Sequence, residues 1–396
     1  MESAEAKPTS FDKEIFSYLS AHASTLRTED LPGWHSRPLH VAFAITNKCC
    51  LKCKHCFSSS TIEDQSDLDP TALVALTEHL IDEGVFQFGL SGGEPFISPA
   101  LRGIIETLTR HSRSFYINTN GTIIDKKTLS LIAQSGHLFS GFTISLDGCS
   151  KEAHDGLRGK GAFDKLLEGV ELIKSFDFPF RFFTVINKLN HKEIPSIIDL
   201  ARRLGAYRID LNAFGAMGRA GSHAHELELS PHEHVAVLRL SRRLMDHFGS
   251  FMYGFYPGSV KATLRHERFF YELANNPDVP KPKEGTFQAC GGLRRECTVL
   301  ANGKVVPCQS LQSYVIGNLN ENTLANIWQL SEKAHSFRQL ASIPLSAADE
   351  CRQCPYIHTC NGNCRAMAAA SASSILACDP FCFYPSRNYR PIWGVL

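Results

Sequence analysis

Between residues 39 and 213 short apolar, β-prone runs alternate with amphipathic stretches. The strand-like runs are 39–45, 85–90, 114–119, 141–146, 180–186 and 207–212. Helix-like periodicity occupies 70–83, 98–111, 125–135, 162–175 and 191–204, several of them opened by start signals: Asp69-Pro70, Ser98-Pro99 and Asp125. The run from Phe178 to Ile186, interrupted by Pro179 and Arg181, reads as a buried strand. Six strand–helix units of this kind predict a parallel sheet covered by helices, either doubly wound or curled into a partial barrel. Residues 214–285 are less regular. Gly and Ala crowd 213–221, and a helix is expected near 231–248. His223, His225, His232 and His234 read as surface histidines around that helix start, not as a metal site.

Composition narrows the class. A chain of 396 residues exceeds one hydrophobic core, so more than one domain is expected. Lys plus Arg total 41 against 40 Asp plus Glu, a formal charge of +1. That balance gives no electrostatic case for nucleic acid or an anionic membrane as partner. Met1 to Pro38 is polar and mixed in charge, unlike a secretory signal, and no stretch has the length of a membrane span. The expected location is cytoplasmic. Fourteen cysteines without an export signal argue against a disulfide framework and for metal or cluster ligation.

The candidate chemistry sits where the predicted strands end. After 39–45 comes Cys49-x3-Cys53-x2-Cys56, on a polar loop leaving a strand. A [4Fe–4S] cluster normally takes four Cys ligands, so three leave one iron open. Cys-x2-Cys spacing also serves zinc, and that alternative stands on this motif alone. The second strand ends in Gly92-Gly93-Glu94, where glycines would let a ligand approach the backbone and a carboxylate could accept from an ammonium group. The third ends in Asn118-Thr119-Asn120-Gly121. The fourth ends in Ser145-Leu146-Asp147-Gly148, with His154-Asp155 and Arg158-Gly159 beyond it. Ligands of α/β folds bind beyond the carboxyl ends of strands, which is where all of these groups fall. Most of the other cysteines lie between 290 and 382, in a separate Cys-rich stretch: Cys290-x6-Cys297-x10-Cys308, then Cys351-x2-Cys354-x5-Cys360-x3-Cys364, Cys378 and Cys382. A zinc ribbon is the alternative for this series on spacing alone.

The Cys49/Cys53/Cys56 motif, the Gly92–Glu94 turn and the Ser145/Asp147 strand end together resemble radical S-adenosylmethionine (radical SAM) enzymes over about 39–220. The later cysteine series resembles the SPASM extension of that family over about 286–385. The resemblance implies an α/β fold: a partial (β/α)6 TIM-like barrel with a C-terminal Cys-rich SPASM domain. The implied layout is an N-terminal extension (1–38), the barrel (39–220), a connecting helical region (221–285) and the SPASM domain (286–396). Three [4Fe–4S] clusters and S-adenosyl-L-methionine are the implied cofactors. Cys49, Cys53 and Cys56 would hold the first cluster. The Gly92-Gly93-Glu94 turn would hold the methionine amino group, and Ser145 and Arg158 its carboxylate. Asn118, Asn120 and Asp147 join the cofactor-binding set, and Leu211, next to Asn212, would pack near the adenine. One auxiliary cluster would take Cys290, Cys297, Cys308 and Cys364. The other would take Cys351, Cys354, Cys360 and a last ligand, Cys382 in preference to Cys378. Cys50 and Cys149 fit no cluster and read as packed thiols.

The implied reaction is reductive cleavage of S-adenosylmethionine to methionine and a 5′-deoxyadenosyl radical, followed by hydrogen abstraction from an unactivated C–H bond. Closed auxiliary clusters suit electron transfer and so oxidative products. A ribosomally made peptide, cross-linked at its side chains, is the expected substrate, and a low-potential donor such as flavodoxin or ferredoxin the expected partner. Only 38 residues precede the first strand, too few for the leader-binding domain of about 80 residues that peptide-maturating enzymes often carry. Tetrapyrrole side-chain modification, as in alternative haem and haem d1 pathways, is an alternative. Formylglycine formation ranks lower, because the aspartate base that sulfatase-maturating enzymes carry after the cysteine matching Cys308 is here Gln309, which takes no proton at neutral pH. The non-enzymatic alternatives are an iron–sulfur electron carrier and a zinc-binding module.

Overall fold

The structure, a computed structural model, describes residues 35–256, 283–287, 291–354, 357–358, 360–380 and 382. Cys290 lies outside the described residues. All the named strands belong to one ten-stranded sheet. Its parallel core runs in chain order through β1 (His40–Ala44), β2 (Gln87–Ser91), β3 (Ser114–Thr119), β4 (Phe139–Ser145), β5 (Phe180–Ile186), β6 (Arg208–Ala213) and β7 (Met252–Tyr256). Beyond β1 the sheet continues into β8 (Glu296–Val299), parallel to β1, then antiparallel β9 (Lys304–Val306) and β10 (Gly317–Asn318). The six expected units are present, and a parallel strand adds at each edge. β7 escapes a sequence reading because Met-Tyr-Gly-Phe-Tyr lacks polar alternation and carries a glycine.

Side-chain alternation sets the two faces. Phe43, Phe88, Phe115, Ile117, Ile144 and Ile209 are fully buried in the main hydrophobic core. Each contributes about 1.5–3 kcal/mol relative to exposure. On the other face β8, β1 and β3 are tied by polar groups: His40 meets Glu296 through Nδ1 (3.1 Å) and the Tyr116 hydroxyl through Nε2 (3.1 Å). The C-terminal region therefore shares a sheet with the barrel.

Of the three expected helix starts, two are capped as read. Asp69 accepts from Thr71 N at the start of α1 (Pro70–Asp82), and Asp125 accepts from Thr128 N two helices later. Ser98 does not cap. Its hydroxyl donates to the Ile45 carbonyl (3.2 Å), and α2 (Leu101–Arg110) begins after Ala100 without a side-chain cap. Helix α3 is Lys126–Gln134. The segment carrying His154 and Arg158, given no element from the sequence, is helix α4 (Lys151–Arg158), capped by Ser150 and ended by Gly159 at φ +115°. Its low hydrophobicity hides the helical period. Helices α5 (Ala162–Lys174), α6 (Ile194–Arg203) and α7 (Pro231–Phe248) complete this half. His225 and His232 are exposed, as expected of surface histidines, but His234 is buried at the start of α7.

Phe115 packs against Phe139 with ring centroids 5.3 Å apart at the centre of the core. Phe115→Ala should lower unfolding free energy by about 3–5 kcal/mol, read from the urea midpoint at unchanged m-value. A midpoint shift worth less than about 1 kcal/mol would show that this core is not tightly packed there.

Candidate functional site

The loop after β1 is held by backbone before any side chain acts. Gly93 N donates to Thr46 O (2.8 Å) and Glu94 N to Lys48 O (2.9 Å). A Cβ on Gly92 would lie 2.1 Å from Thr46 O, and one on Gly93 2.2 Å from Lys48 O. The two glycines thus make room for the cysteine loop. Asp67 closes the same segment, accepting from Thr46 Oγ1 (2.5 Å) and Asn47 N (2.7 Å). From the far side Arg219 donates to the carbonyls of Cys53 (3.1 Å), Ser59 (3.0 Å) and Ser60 (2.6 Å). Lys54 pairs with Glu226 at 2.5 Å. Neither Asp67 nor Arg219 has a sequence signal of its own. Gly218, at φ +57° with its Cβ position 2.2 Å from Phe57 O, is the one trace of that clasp.

Glu94 is fully buried. It accepts from Thr119 Oγ1 and Asn120 N, both at 2.7 Å. Its carboxylate braces β2 against the end of β3. Asn120 reaches the cysteines: its Nδ2 lies 3.9 Å from Cys49 Sγ and 3.5 Å from Cys50 Sγ. Cys50 is exposed, not packed as expected, with its sulfur 3.4 Å from Thr122 Oγ1. Hydrogen bonding within the vicinal pair holds the Cys49 thiol high and the Cys50 thiol low, at about 5. Cys149 packs partly against the core and donates to Glu193 Oε2 (3.3 Å).

Asp147 is the hub beyond β4. Fully buried, it meets Arg158 Nε at 2.6 Å and His55 Nε2 at 3.0 Å, and accepts from Val185 N at 2.8 Å. Burial alone would raise its carboxyl, but the Arg158 and His55 charges outweigh burial and hold it far below the usual range. With both oxygens taken, Asp147 acts on the cysteine loop through its neighbours. Arg158 Nη1 lies 3.9 Å from Cys53 Sγ. Burial pushes the Cys53 thiol up to about 11, with Arg158 opposing. His154 is fully buried, and burial, then Arg158, lowers it to about 4. Asn118 and Ser145 are half-buried at the ends of β3 and β4. Leu211 is buried on β6. Along β6 it shares the core face with Ile209, so with a period of two it points away from the face of Asn212.

The C-terminal cysteines gather around the other end of the sheet. Cys297, on β8, is buried, and burial pushes its thiol up to about 12. Cys308 follows β9, and the next residue, Gln309, donates its amide to Ser91 Oγ at the end of β2. Cys364 N donates to Asp379 Oδ2 (2.8 Å) at the start of the helix Arg365–Ala372. Cys354 N donates to Cys351 O (3.0 Å), and Gly362 N to Cys360 Sγ (3.3 Å). Cys378, the second choice for the last ligand, hydrogen-bonds both Cys351 and Cys382.

This arrangement of cysteine loop and strand ends has known relatives. The radical SAM superfamily profile matches residues 43–201, and an iron–sulfur cluster-binding domain (SPASM) profile matches 290–355. An AdoMet-dependent heme synthase of Methanosarcina barkeri is 30% identical over 88% of this chain and 97% of its own length. The chain belongs to the radical SAM superfamily. Mycofactocin maturase MftC of Mycolicibacterium smegmatis is 25% identical over 87% of this chain and 82% of its own. Among solved structures, Streptococcus suis SuiB bound to the precursor peptide SuiA superposes with a TM-score of 0.67 at 16% identity, covering 96% of this chain and 83% of that one. As a radical SAM enzyme with a SPASM domain, the protein uses S-adenosylmethionine and iron–sulfur clusters.

Burial raises the Glu94 carboxyl from 4.5 to about 7, with its hydrogen bonds opposing. The folded value lies above the unfolded one, so this contribution is complete below about 4.5 and lost as pH rises through 7. In metal-free protein, stability should fall by on the order of 3 kcal/mol across that interval. Glu94→Gln should flatten that segment of the profile. An equally steep slope in the variant would place its origin elsewhere.

Proposed function

We propose that the protein cleaves S-adenosylmethionine reductively at a cluster held by Cys49, Cys53 and Cys56, and uses the resulting radical to oxidise a substrate side chain. The observation that carries this reading is the three-thiol loop pinned against the Gly92–Glu94 turn. Among the described residues no three His, Cys, Asp or Glu side chains converge as one metal ion would need. A cubane takes each of three thiolates on a different iron and so needs no convergence on a single ion. His55, between Cys53 and Cys56, also keeps a buried Nδ1 without a hydrogen-bond partner in the structure. When bound, the cluster and S-adenosylmethionine supply the electron transfer and the hydrogen-abstracting radical.

The chain's own residues position and insulate. The Gly92-Gly93-Glu94 turn presents backbone groups for the methionine amino end. Ser145 and Asn118 are the half-buried polar groups at neighbouring strand ends, and Asn120 steadies Cys49. Arg158 and Asp147 fix Cys53 from behind. Leu211 serves the core. The assigned layout is the barrel at 39–220, the connecting region at 221–285 and the SPASM domain at 286–396, after an N-terminal extension at 1–38. Two auxiliary [4Fe–4S] clusters complete a set of three. One takes Cys290, Cys297, Cys308 and Cys364. The other takes Cys351, Cys354, Cys360 and either Cys382 or Cys378. A flavodoxin or ferredoxin in a reducing cytoplasm is the electron donor.

The substrate is read as a ribosomally made peptide, modified by oxidative cross-linking. Support comes from the maturase relatives and from the likeness in fold to a peptide-bound enzyme. Gln309 at the rim gives no base for formylglycine formation. Tetrapyrrole side-chain modification has a specific observation in its favour: the relative at 30% identity, matched over 97% of its own length, is a heme synthase. It belongs in the first round of tests beside the peptide.

Changing Cys49, Cys53 and Cys56 together to Ala should abolish 5′-deoxyadenosine formation under dithionite while leaving auxiliary iron of roughly eight atoms per chain. Undiminished cleavage would remove the assignment. Anaerobic turnover with side-chain-deuterated peptide and, in parallel, deuterated tetrapyrrole should place label in 5′-deoxyadenosine from one of them. Label from the tetrapyrrole alone would replace the peptide reading.

A further inference from the structure

On the face of the sheet opposite the core, the central strands are only half covered. Ala42, Tyr116, Asn118 and Ser145 are each half-buried there. Asn118 and Ser145 stand at the strand ends, beside the proposed cofactor site. Tyr116 precedes Asn118 by two residues on β3, so it shares that face and lies about 6.6 Å deeper along the strand. Level with it on β1 and β2 are Ala42 and Gly89, which bring little bulk to the face. Concave faces of this kind are where substrates bind.

Tyr116 is tied to two further titratable groups. Its hydroxyl crosses β2 to meet His40 Nε2 at 3.1 Å, and the two rings stack with centroids 5.8 Å apart. A Cβ on Gly89 would lie 2.4 Å from that hydroxyl oxygen, so the crossing needs a glycine beneath it. His40 Nδ1 meets Glu296 Oε2 at 3.1 Å, on the residue registered against it in β8. A carboxylate only accepts, so Nδ1 carries the ring proton and Nε2 accepts from the tyrosine. Burial holds the Tyr116 hydroxyl above its ordinary range, with the Arg181 charge opposing. Arg181 is itself engaged by Asp210 at 3.3 Å. At rest the phenol therefore keeps its proton. Phenol, imidazole and carboxylate stand in the order in which a hydroxyl, its base and the group that orients the base stand in a catalytic triad.

We propose that Tyr116, His40 and Glu296 form the proton relay of the substrate oxidation. Tyr116 is the catalytic residue that meets the substrate, His40 is the base behind it, and Glu296 is a positioning residue that fixes the imidazole. The substrate carbon that has lost its hydrogen to 5′-deoxyadenosine bonds to a second side chain. The bond from that side chain to its hydrogen breaks. One electron leaves to an iron–sulfur centre, and one proton goes to Tyr116 Oη as the phenol proton passes to His40 Nε2. The Glu296 carboxylate answers the imidazolium so formed. The inference rests on the reading of the product as a cross-linked peptide.

The test is anaerobic turnover of full-length, cluster-loaded protein with the side-chain-deuterated peptide. The quantity read is cross-linked peptide, lighter by two hydrogens, formed per 5′-deoxyadenosine. Tyr116→Phe and His40→Gln should each lower it by about a hundredfold or more. Gln can still accept from the Tyr116 hydroxyl but takes no proton at neutral pH. A role in packing alone would therefore leave the His40→Gln ratio at the parent's value. Imidazole added to His40→Ala should restore product. Glu296→Gln should lower the ratio too, with Glu296→Asp recovering part of the loss. Parent ratios in both Tyr116→Phe and His40→Gln overturn the relay and leave the radical chemistry standing. Should Tyr116→Phe take up no iron, His40→Gln and the imidazole rescue decide. A parent protein that draws no label from peptide, or draws it only from tetrapyrrole with release of carbon dioxide, overturns the peptide reading and the relay with it, since that decarboxylation sheds no proton.

Discussion

A single buried carboxylate organises the barrel side of the site. Asp147 has no solvent contact and binds at once to a guanidinium, an imidazole and a backbone amide. Through Arg158 it reaches Cys53, through His55 the middle of the cysteine loop, and through Val185 the neighbouring strand. Breaking such a buried pair typically costs about 3–5 kcal/mol, because the remaining charge is stranded in low dielectric. The position of the Cys53 sulfur is therefore fixed by the same contacts that join β4, α4 and β5. The cysteine loop is thereby tied to the sheet beneath it.

The opposite side of that loop is fixed by space rather than charge. Gly92 and Gly93 let the chain at 46–48 come within hydrogen-bonding distance of the β2 end, and side chains there would collide with carbonyl oxygens. Arg219 then clasps three carbonyls from the segment after β6. Between a buried ion network, a close backbone crossing and an arginine clasp, the cysteines have little freedom left. Such preorganisation suits chemistry in which a reactive radical must meet one hydrogen and no other.

The cysteine-rich C-terminal region joins this frame physically. β8 pairs with β1 and puts Cys297 directly beside the first barrel strand, while Gln309 touches Ser91 at the rim. Auxiliary centres there would lie in a single continuous sheet with the site of radical formation.

The sequence by itself determined the fold class, the six central strands and most of the covering helices, because period-two and period-3.6 patterns are local properties of the chain. It also determined which residue types could hold a cluster, since cysteine spacing is written directly in the chain. It did not show that Gly92 and Gly93 admit the cysteine loop, or that both Asp147 oxygens are taken by protein partners. Whether a group faces a ligand or a neighbouring loop depends on how distant segments meet. Leu211 packs on the core face with Ile209, and a one-residue step on a strand exchanges faces. Helix α4, strand β7, the clasp by Arg219, the exposure of Cys50 and the place of Cys378 beside Cys351 and Cys382 were likewise decided only in three dimensions. Each depends on contacts between segments far apart in the chain, or on a segment whose own pattern is too weak to declare itself.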